Sequence, residues 1–109
     1  MGAKLYAIAS NSPSVESQVS NQAARAPHYL LFDDVGNILE ASVNPVSDAA
    51  GHAAPQAVEF LAGKGVSGLV AASFGHKMLS ELAARGIDQF EAQGPVEAAI
   101  RTYLEGQGQ

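Results

Sequence analysis

The run His28-Tyr29-Leu30-Leu31-Phe32-Asp33-Asp34-Val35-Gly36-Asn37-Ile38-Leu39-Glu40-Ala41-Ser42-Val43 holds two apolar six-residue segments around a four-residue turn. Gly36 and Asn37 tolerate the backbone angles that a tight reversal needs, so the run reads as a β-hairpin, with strands over 28–33 and 38–43. In the second strand Leu39, Ala41 and Val43 share one face and Glu40 and Ser42 the other. That alternation predicts a half-buried strand with the three apolar residues turned inward.

Upstream, Lys4-Leu5-Tyr6-Ala7-Ile8-Ala9-Ser10 is almost continuously apolar, the pattern of a strand covered on both faces. Asn11–Pro27, rich in Ser, Asn, Gln and Ala, follows no period of 2 or 3.6. A connection of that length inside a compact domain is usually functional or disordered. Downstream, Asn44–Ala54 is a second irregular stretch, small and flexible through Ala49, Ala50, Gly51, Ala53 and Ala54. From Pro55 the period becomes helical, with Ala54, Ala57, Val58 and Leu61 in one stripe and Gly63 and Gly65 near its end. A short strand over 67–72 follows, then a helix over 75–85 carrying Met78, Leu79, Leu82 and Ala83 on one face and stopped by Gly86. The last strand spans 87–92. Gly94-Pro95 opens a third helix, with Val96, Ala99, Ile100, Tyr103 and Leu104 inward and 107–109 as a tail.

The order β-β-β-α-β-α-β-α implies an α/β fold, an RNase H-like mixed five-stranded sheet with three helices. An antiparallel hairpin reverses the chain twice, so the third strand runs parallel to the first, and helical crossovers carry the fourth and fifth in that direction too. The 11–27 loop, His28, the 44–54 loop, Ser73–His76 and Gln93–Pro95 should then gather at one edge, where open α/β sheets bind ligands.

Composition bounds the function. With 109 residues and 47% apolar content, the chain reads as one domain over 1–109. The absence of cysteine excludes a disulfide scaffold, a zinc ribbon, a cysteine-ligated iron–sulfur site and a thiol nucleophile. No apolar run approaches the length of a membrane span and Met1–Ser10 lacks a signal-peptide layout, so the expectation is a cytoplasmic protein without membrane contact. Eleven acids against six scattered bases give a net charge of −5, which argues against nucleic acid as a partner.

Catalytic patterns are missing. RNase H-like nucleases need a carboxylate on the first strand for two-metal chemistry, and Lys4–Ser10 has none. Asp33 and Asp34 are adjacent, so their side chains diverge. Gly63-Lys64-Gly65 lacks the strand context and the Ser or Thr of a phosphate loop. No serine has a nucleophile-elbow setting, and the chain reads as a non-enzyme. What remains is the edge. All three helices should begin there, each with unpaired N–H groups and the positive end of a dipole. Beside Arg25 and Lys77 they would form an anion-binding rim, although helix starts are ordinary features of any α/β domain. His28, His52 and His76 fall in or beside the same segments and offer imidazole donors or metal ligands.

The chain resembles the dinitrogenase iron–molybdenum cofactor-binding family, which includes small nitrogenase cofactor carriers and the orange proteins. The resemblance runs from about Leu5 to Gly106. It rests on Ala7-Ile8-Ala9-Ser10, Arg25-Ala26-Pro27, Asn44-Pro45, Pro55-Gln56 with Phe60-Leu61, Gly65-Val66, Gly75, Gly86-Ile87, and Gly94 with Val96-Glu97-Ala98-Ala99-Ile100 and Tyr103. This chain departs from the family pattern at Ala23-Ala24, at Ala50-Gly51-His52-Ala53-Ala54 and at Gly75-His76-Lys77, all on the expected binding edge. The resemblance implies non-covalent carriage of an anionic molybdenum-containing metal–sulfur cluster. Without cysteine and with edge histidines, the chain looks most like the orange proteins, which implies a Mo–Cu sulfide cluster; the alternative is the iron–molybdenum cofactor or its Fe–S precursor. On this reading Arg25 and Lys77 complement charge, His52 and His76 donate hydrogen bonds or ligate copper, and Ser73 and Gly75 present backbone N–H groups. A different class of function is an interaction module docking a ParA/MinD-type ATPase, as the orange-protein resemblance also suggests.

Overall fold

Leu5–Ser10 forms β1, and from Tyr6 onward every residue of it is buried, as an apolar run with no exposed face requires. The computed structural model describes residues 4–48 and 51–107. Beyond β1 these hold β2 (His28–Asp33), β3 (Ile38–Val43), α1 (Ala53–Gly63), β4 (Gly68–Ala71), α2 (His76–Ala84), β5 (Asp88–Glu91) and α3 (Val96–Gln107), the expected order. Ala49 and Ala50 of the second irregular stretch, the final two tail residues and Met1–Ala3 lie outside the described residues.

The sheet order is β3-β2-β1-β4-β5. β1 pairs antiparallel with β2, Ser10 opposite His28, and parallel with β4, Ile8 opposite Val70. β5 runs parallel to β4. Asp33 sets the hairpin turn by accepting hydrogen bonds from the N–H groups of Val35 (3.0 Å) and Asn37 (2.8 Å).

Strand alternation divides the core between the two faces. Ala7, Ala9, Tyr29, Leu31, Leu69 and Ala71 pack with Ala57, Val58 and Leu61 of α1 and Met78 and Leu82 of α2. Tyr6, Ile8, Leu30, Phe32 and Val70 pack with Val96, Ala99, Ile100 and Tyr103 of α3. The layers are therefore two helices, a sheet and one helix.

That asymmetry overturns one expectation. Leu39 and Val43 are 59% and 69% exposed, and only Ser42 of β3 is buried. Register explains it: Ser42 lies opposite Tyr29 and Glu40 opposite Leu31, so these two face the α1/α2 layer. There Lys64, the C-cap of α1, ion-pairs with Glu40 at 2.8 Å. Ala41 and Val43, opposite Leu30 and His28, face the α3 side. The single helix on that side packs on β1 and β4 and leaves the outer strand uncovered. The register also shifts by one residue between Leu31 and Phe32, which leaves Leu39 without a partner opposite it.

At the far end of α3, the Tyr103 ring meets Tyr6, Phe90 and Phe32 edge-on at centroid distances of 5.1, 5.3 and 6.2 Å. Its hydroxyl is buried with no hydrogen-bond partner, and burial, with Tyr6 and Asp88 nearby, pushes it up to about 12. A Cβ at residue 68 would collide with that oxygen, so β4 begins with glycine. Gly68→Ala should destabilise the fold by about 1–3 kcal/mol in urea denaturation. Tyr103→Phe removes only the unpartnered oxygen; its own effect should stay within about 0.5 kcal/mol, and it should recover much of the loss in the double variant.

Candidate functional site

The carboxyl end of β1 passes into the 11–27 segment, which is irregular but well tied. Ser20 N–H donates to the Ala9 carbonyl (2.9 Å), Ala72 N–H to Ser20 (3.0 Å) and Val19 N–H to Gly94 (2.9 Å). Val19, Ser20, Ala23 and Ala26 are buried. The segment thus fills the edge between β1, β4 and the start of α3.

It also closes one of the three helix ends expected to face a ligand. Val96 N–H donates to the Ser17 carbonyl (2.8 Å) and Glu97 N–H to Val15 (3.1 Å). Glu97 stands in the same first turn, where a carboxylate offsets the helix dipole. The expected three-helix rim is therefore a two-helix rim.

The starts of α1 and α2 differ in kind. Their N-caps, His52 and Gly75, make no side-chain cap hydrogen bond, and neither first turn holds an acidic residue. The first intrahelical donors are Gln56 N–H to His52 (3.4 Å) and Leu79 N–H to Gly75 (3.0 Å). The N–H groups of Ala53, Ala54, His76, Lys77 and Met78 thus have no acceptor within their own helix. Pro55 contributes none, and its fixed φ suits the first turn. His52 enters α1 at φ 58, the one non-glycine residue with positive φ among the described residues. That conformation costs a β-carbon-bearing residue about 1 kcal/mol.

Both open ends border a cleft of about 390 Å³. Asn21, Gln22, Ala23, Ala24 and Arg25 form one wall, His52, Ala53 and Ala54 a second, and Ser73, Gly75, Lys77 and Met78 a third. Five of the six residues expected from the sequence, Arg25, His52, Ser73, Gly75 and Lys77, therefore meet in one place. The sixth, His76, is exposed at the start of α2 and is not part of the lining. His28 belongs to the other side of the sheet: it shares the parity of Leu30 and Phe32, and its Nδ1 is buried without a hydrogen-bond partner. Among the described residues no three His, Asp or Glu side chains converge on a point able to hold a metal ion. The polar lining is cationic or neutral, Arg25 is half-buried, and alanines with Met78 supply the apolar part.

Sequence reasoning missed Asn21, Gln22 and Met78 as lining residues. Met78 carries a helical-stripe signal that reads as core, and it is 1% exposed while also forming part of the cleft wall.

Comparison with known proteins places this geometry in context. A family model described as dinitrogenase iron–molybdenum cofactor matches residues 4–106. The NMR structure of a Thermotoga protein, described as a NifB protein of the DUF35 family, is 33% identical, with 95% of this chain and 90% of that chain covered and a TM-score of 0.79. The apo orange protein of Desulfovibrio gigas is 24% identical with a TM-score of 0.87, covering 97% of this chain and 91% of that one. A dinitrogenase-like protein of Methanocaldococcus jannaschii is 16% identical with a TM-score of 0.68, covering 98% and 93%. The latter two show the shared fold. No curated protein matches the chain.

His52→Gly separates backbone strain from side-chain chemistry. Thermal unfolding should show stability unchanged or raised by up to about 1 kcal/mol, because glycine adopts this φ freely but costs more entropy on folding.

Proposed function

The chain belongs to the dinitrogenase iron–molybdenum cofactor family, and from that premise we propose that residues 1–109 are one domain that carries an anionic molybdenum-containing metal–sulfur cluster. It acts by binding, not by catalysis. The observation that carries this reading is the pair of open helix ends meeting Arg25, Lys77 and His52 in one cleft of a chain with net charge −5. Two helix N-termini of about half a charge each and two cationic side chains amount to roughly three positive charges. An anion there gains from all four at once.

The donor set fits cargo that brings its own sulfur. The chain has no thiolate, and its described carboxylates and imidazoles do not converge on a metal. A sulfide-rich anion needs N–H donors, positive charge and apolar walls. Arg25 and Lys77 supply charge, and Ser73 and Gly75 present backbone N–H groups. His52 donates hydrogen bonds or reaches copper from the cleft wall, and His76, exposed outside the lining at the start of α2, takes the same role at the cluster's outer edge. Ala23, Ala24, Ala53, Ala54 and Met78 give polarisable sulfides a weakly hydrated surface. The resemblance to the orange proteins favours a Mo–Cu sulfide cluster; the iron–molybdenum cofactor or its Fe–S precursor is the alternative cargo.

A second reading, docking of a ParA/MinD-type ATPase, is favoured by Val35, Leu39 and Val43, which are 74%, 59% and 69% exposed. Those residues lie away from the cleft, so the two roles are compatible. No helix among the described residues is long and apolar enough to cross a membrane. As part of the same proposal, such a carrier works in the cytoplasm, away from membranes and nucleic acid.

Anaerobic titration of the apo-protein with tetrathiomolybdate and a Cu(I) salt, followed by desalting, tests the reading. The protein fraction should be coloured, with a fixed Mo:Cu:protein ratio. Arg25→Ala and Lys77→Ala should each weaken retention by about tenfold at low ionic strength, and the loss should shrink as salt is added. A colourless wild-type fraction, or retention by both variants equal to that of the wild type, contradicts the reading.

A further inference from the structure

Register places His28 opposite Val43, so the chain leaving β3 delivers Asn44 beside the segment entering β2. Asn44 is a polar residue 1% exposed, and every hydrogen-bonding group it has is engaged. Its N–H donates to the Pro27 carbonyl at 3.1 Å, and its own carbonyl accepts from Ser47 N–H at 3.4 Å. Its Oδ1 accepts from Val46 N–H at 3.0 Å. Its Nδ2 donates to two carbonyls, those of Ala24 and Ala26, each at 2.9 Å.

Those two alanines flank Arg25. From the other side the buried Tyr29 hydroxyl donates to the Ala23 carbonyl, with the Ala24 carbonyl also within 3.4 Å. The carbonyls of residues 23, 24, 26 and 27 thus all accept hydrogen bonds, and the residue in their midst lines the cleft.

We propose that Asn44 is the positioning residue of this cleft, gripping the carbonyls on both sides of Arg25 so that the guanidinium is presented to an anion in a single backbone conformation. The proposal deepens, and rests on, the reading of the cleft as an anion site. Its physical basis is preorganisation. A loose strap would have to be ordered when the anion binds, and that loss of freedom would subtract from affinity. In the folded chain the strap is already ordered. Few side chains can replace asparagine here. The site needs two N–H donors on one nitrogen with an acceptor on the same planar group. Aspartate keeps the shape but has no donors and sets a charge against carbonyls, glutamine is one methylene too long, and serine offers one donor.

A double-mutant cycle separates positioning from general destabilisation. Tetrathiomolybdate affinity is measured for the wild type, Asn44→Ser, Arg25→Ala and the double variant. Asn44→Ser should weaken binding by about tenfold when Arg25 is present and by no more than about twofold when it is absent. Equal losses in both backgrounds, or no loss in either, overturn the proposal. A second readout needs no ligand: ¹⁵N relaxation of the apo-protein. Asn44→Ser should lower the order parameters of Ala24, Arg25 and Ala26 from about 0.85 toward 0.6, with Ala7–Ala9 of β1 unchanged. An unchanged strap overturns the proposal even where the anion binds. A loosened strap in a chain that binds no tetrathiomolybdate upholds the clamp and rejects the ligand instead. Should Asn44→Ser fail to fold, Asn44→Asp keeps the side-chain shape and the acceptor for Val46 N–H but loses both donors to Ala24 and Ala26, and should loosen the same residues and lose affinity in the same Arg25-dependent way; a rigid strap and full affinity in that variant overturn the proposal.

Discussion

β1 lies between an antiparallel neighbour, β2, and a parallel one, β4, and the location of every functional group depends on that double pairing. The antiparallel side sends the chain back along β2 and out along β3. The parallel side sets the carboxyl end of β4 level with that of β1. The segments leaving β1, β3 and β4 therefore emerge at one edge, and two of them lead into helices that start there. Burial of β1 on both faces makes this pairing hard to disturb, because a slip of one residue would exchange Ala7 and Ala9 with Tyr6 and Ile8 across the two core layers.

Which helix ends stay open then determines where charge accumulates. α3 starts at the same edge, but the carbonyls of Val15 and Ser17 and the carboxylate in its first turn satisfy it. α1 and α2 start without caps and without acids, on the other face. Two of the chain's six bases, Arg25 and Lys77, thus stand beside both open helix ends in one small cleft. The left-handed backbone at His52 belongs to the same arrangement: the chain accepts local strain to enter α1 without a capping side chain.

The fold was legible because its signals are local and mutually consistent. The apolar run at 5–10, the turn at 34–37 and the glycines at 86 and 94 each mark a boundary that the structure respects, and the change to a 3.6 period at Pro55 falls two residues inside α1, which begins at Ala53. Candidate residues were legible by the same route, since topology alone predicted which loops share an edge. What could not be read depends on what lies opposite. Leu39 and Val43 have the alternation of a buried face, but only one helix covers that side and it stops short of β3. The start of α3 looks like any other helix start until Val15 and Ser17 are seen to cap it. Asn44 appears in sequence as a polar residue after a strand, and its grip on Ala24 and Ala26 spans roughly twenty residues that no periodicity connects.

The most direct test of the account is ¹H–¹⁵N chemical-shift mapping of the apo-protein during anaerobic addition of tetrathiomolybdate. The account predicts saturable shifts clustered at residues 21–26, 52–54 and 73–78, with the N–H groups of Ala53, Ala54, Lys77 and Met78 among the largest and the α3 start at Val96 and Glu97 little changed. Shifts centred on the exposed face of β3 or on α3, or no saturable shifts at all, would contradict it.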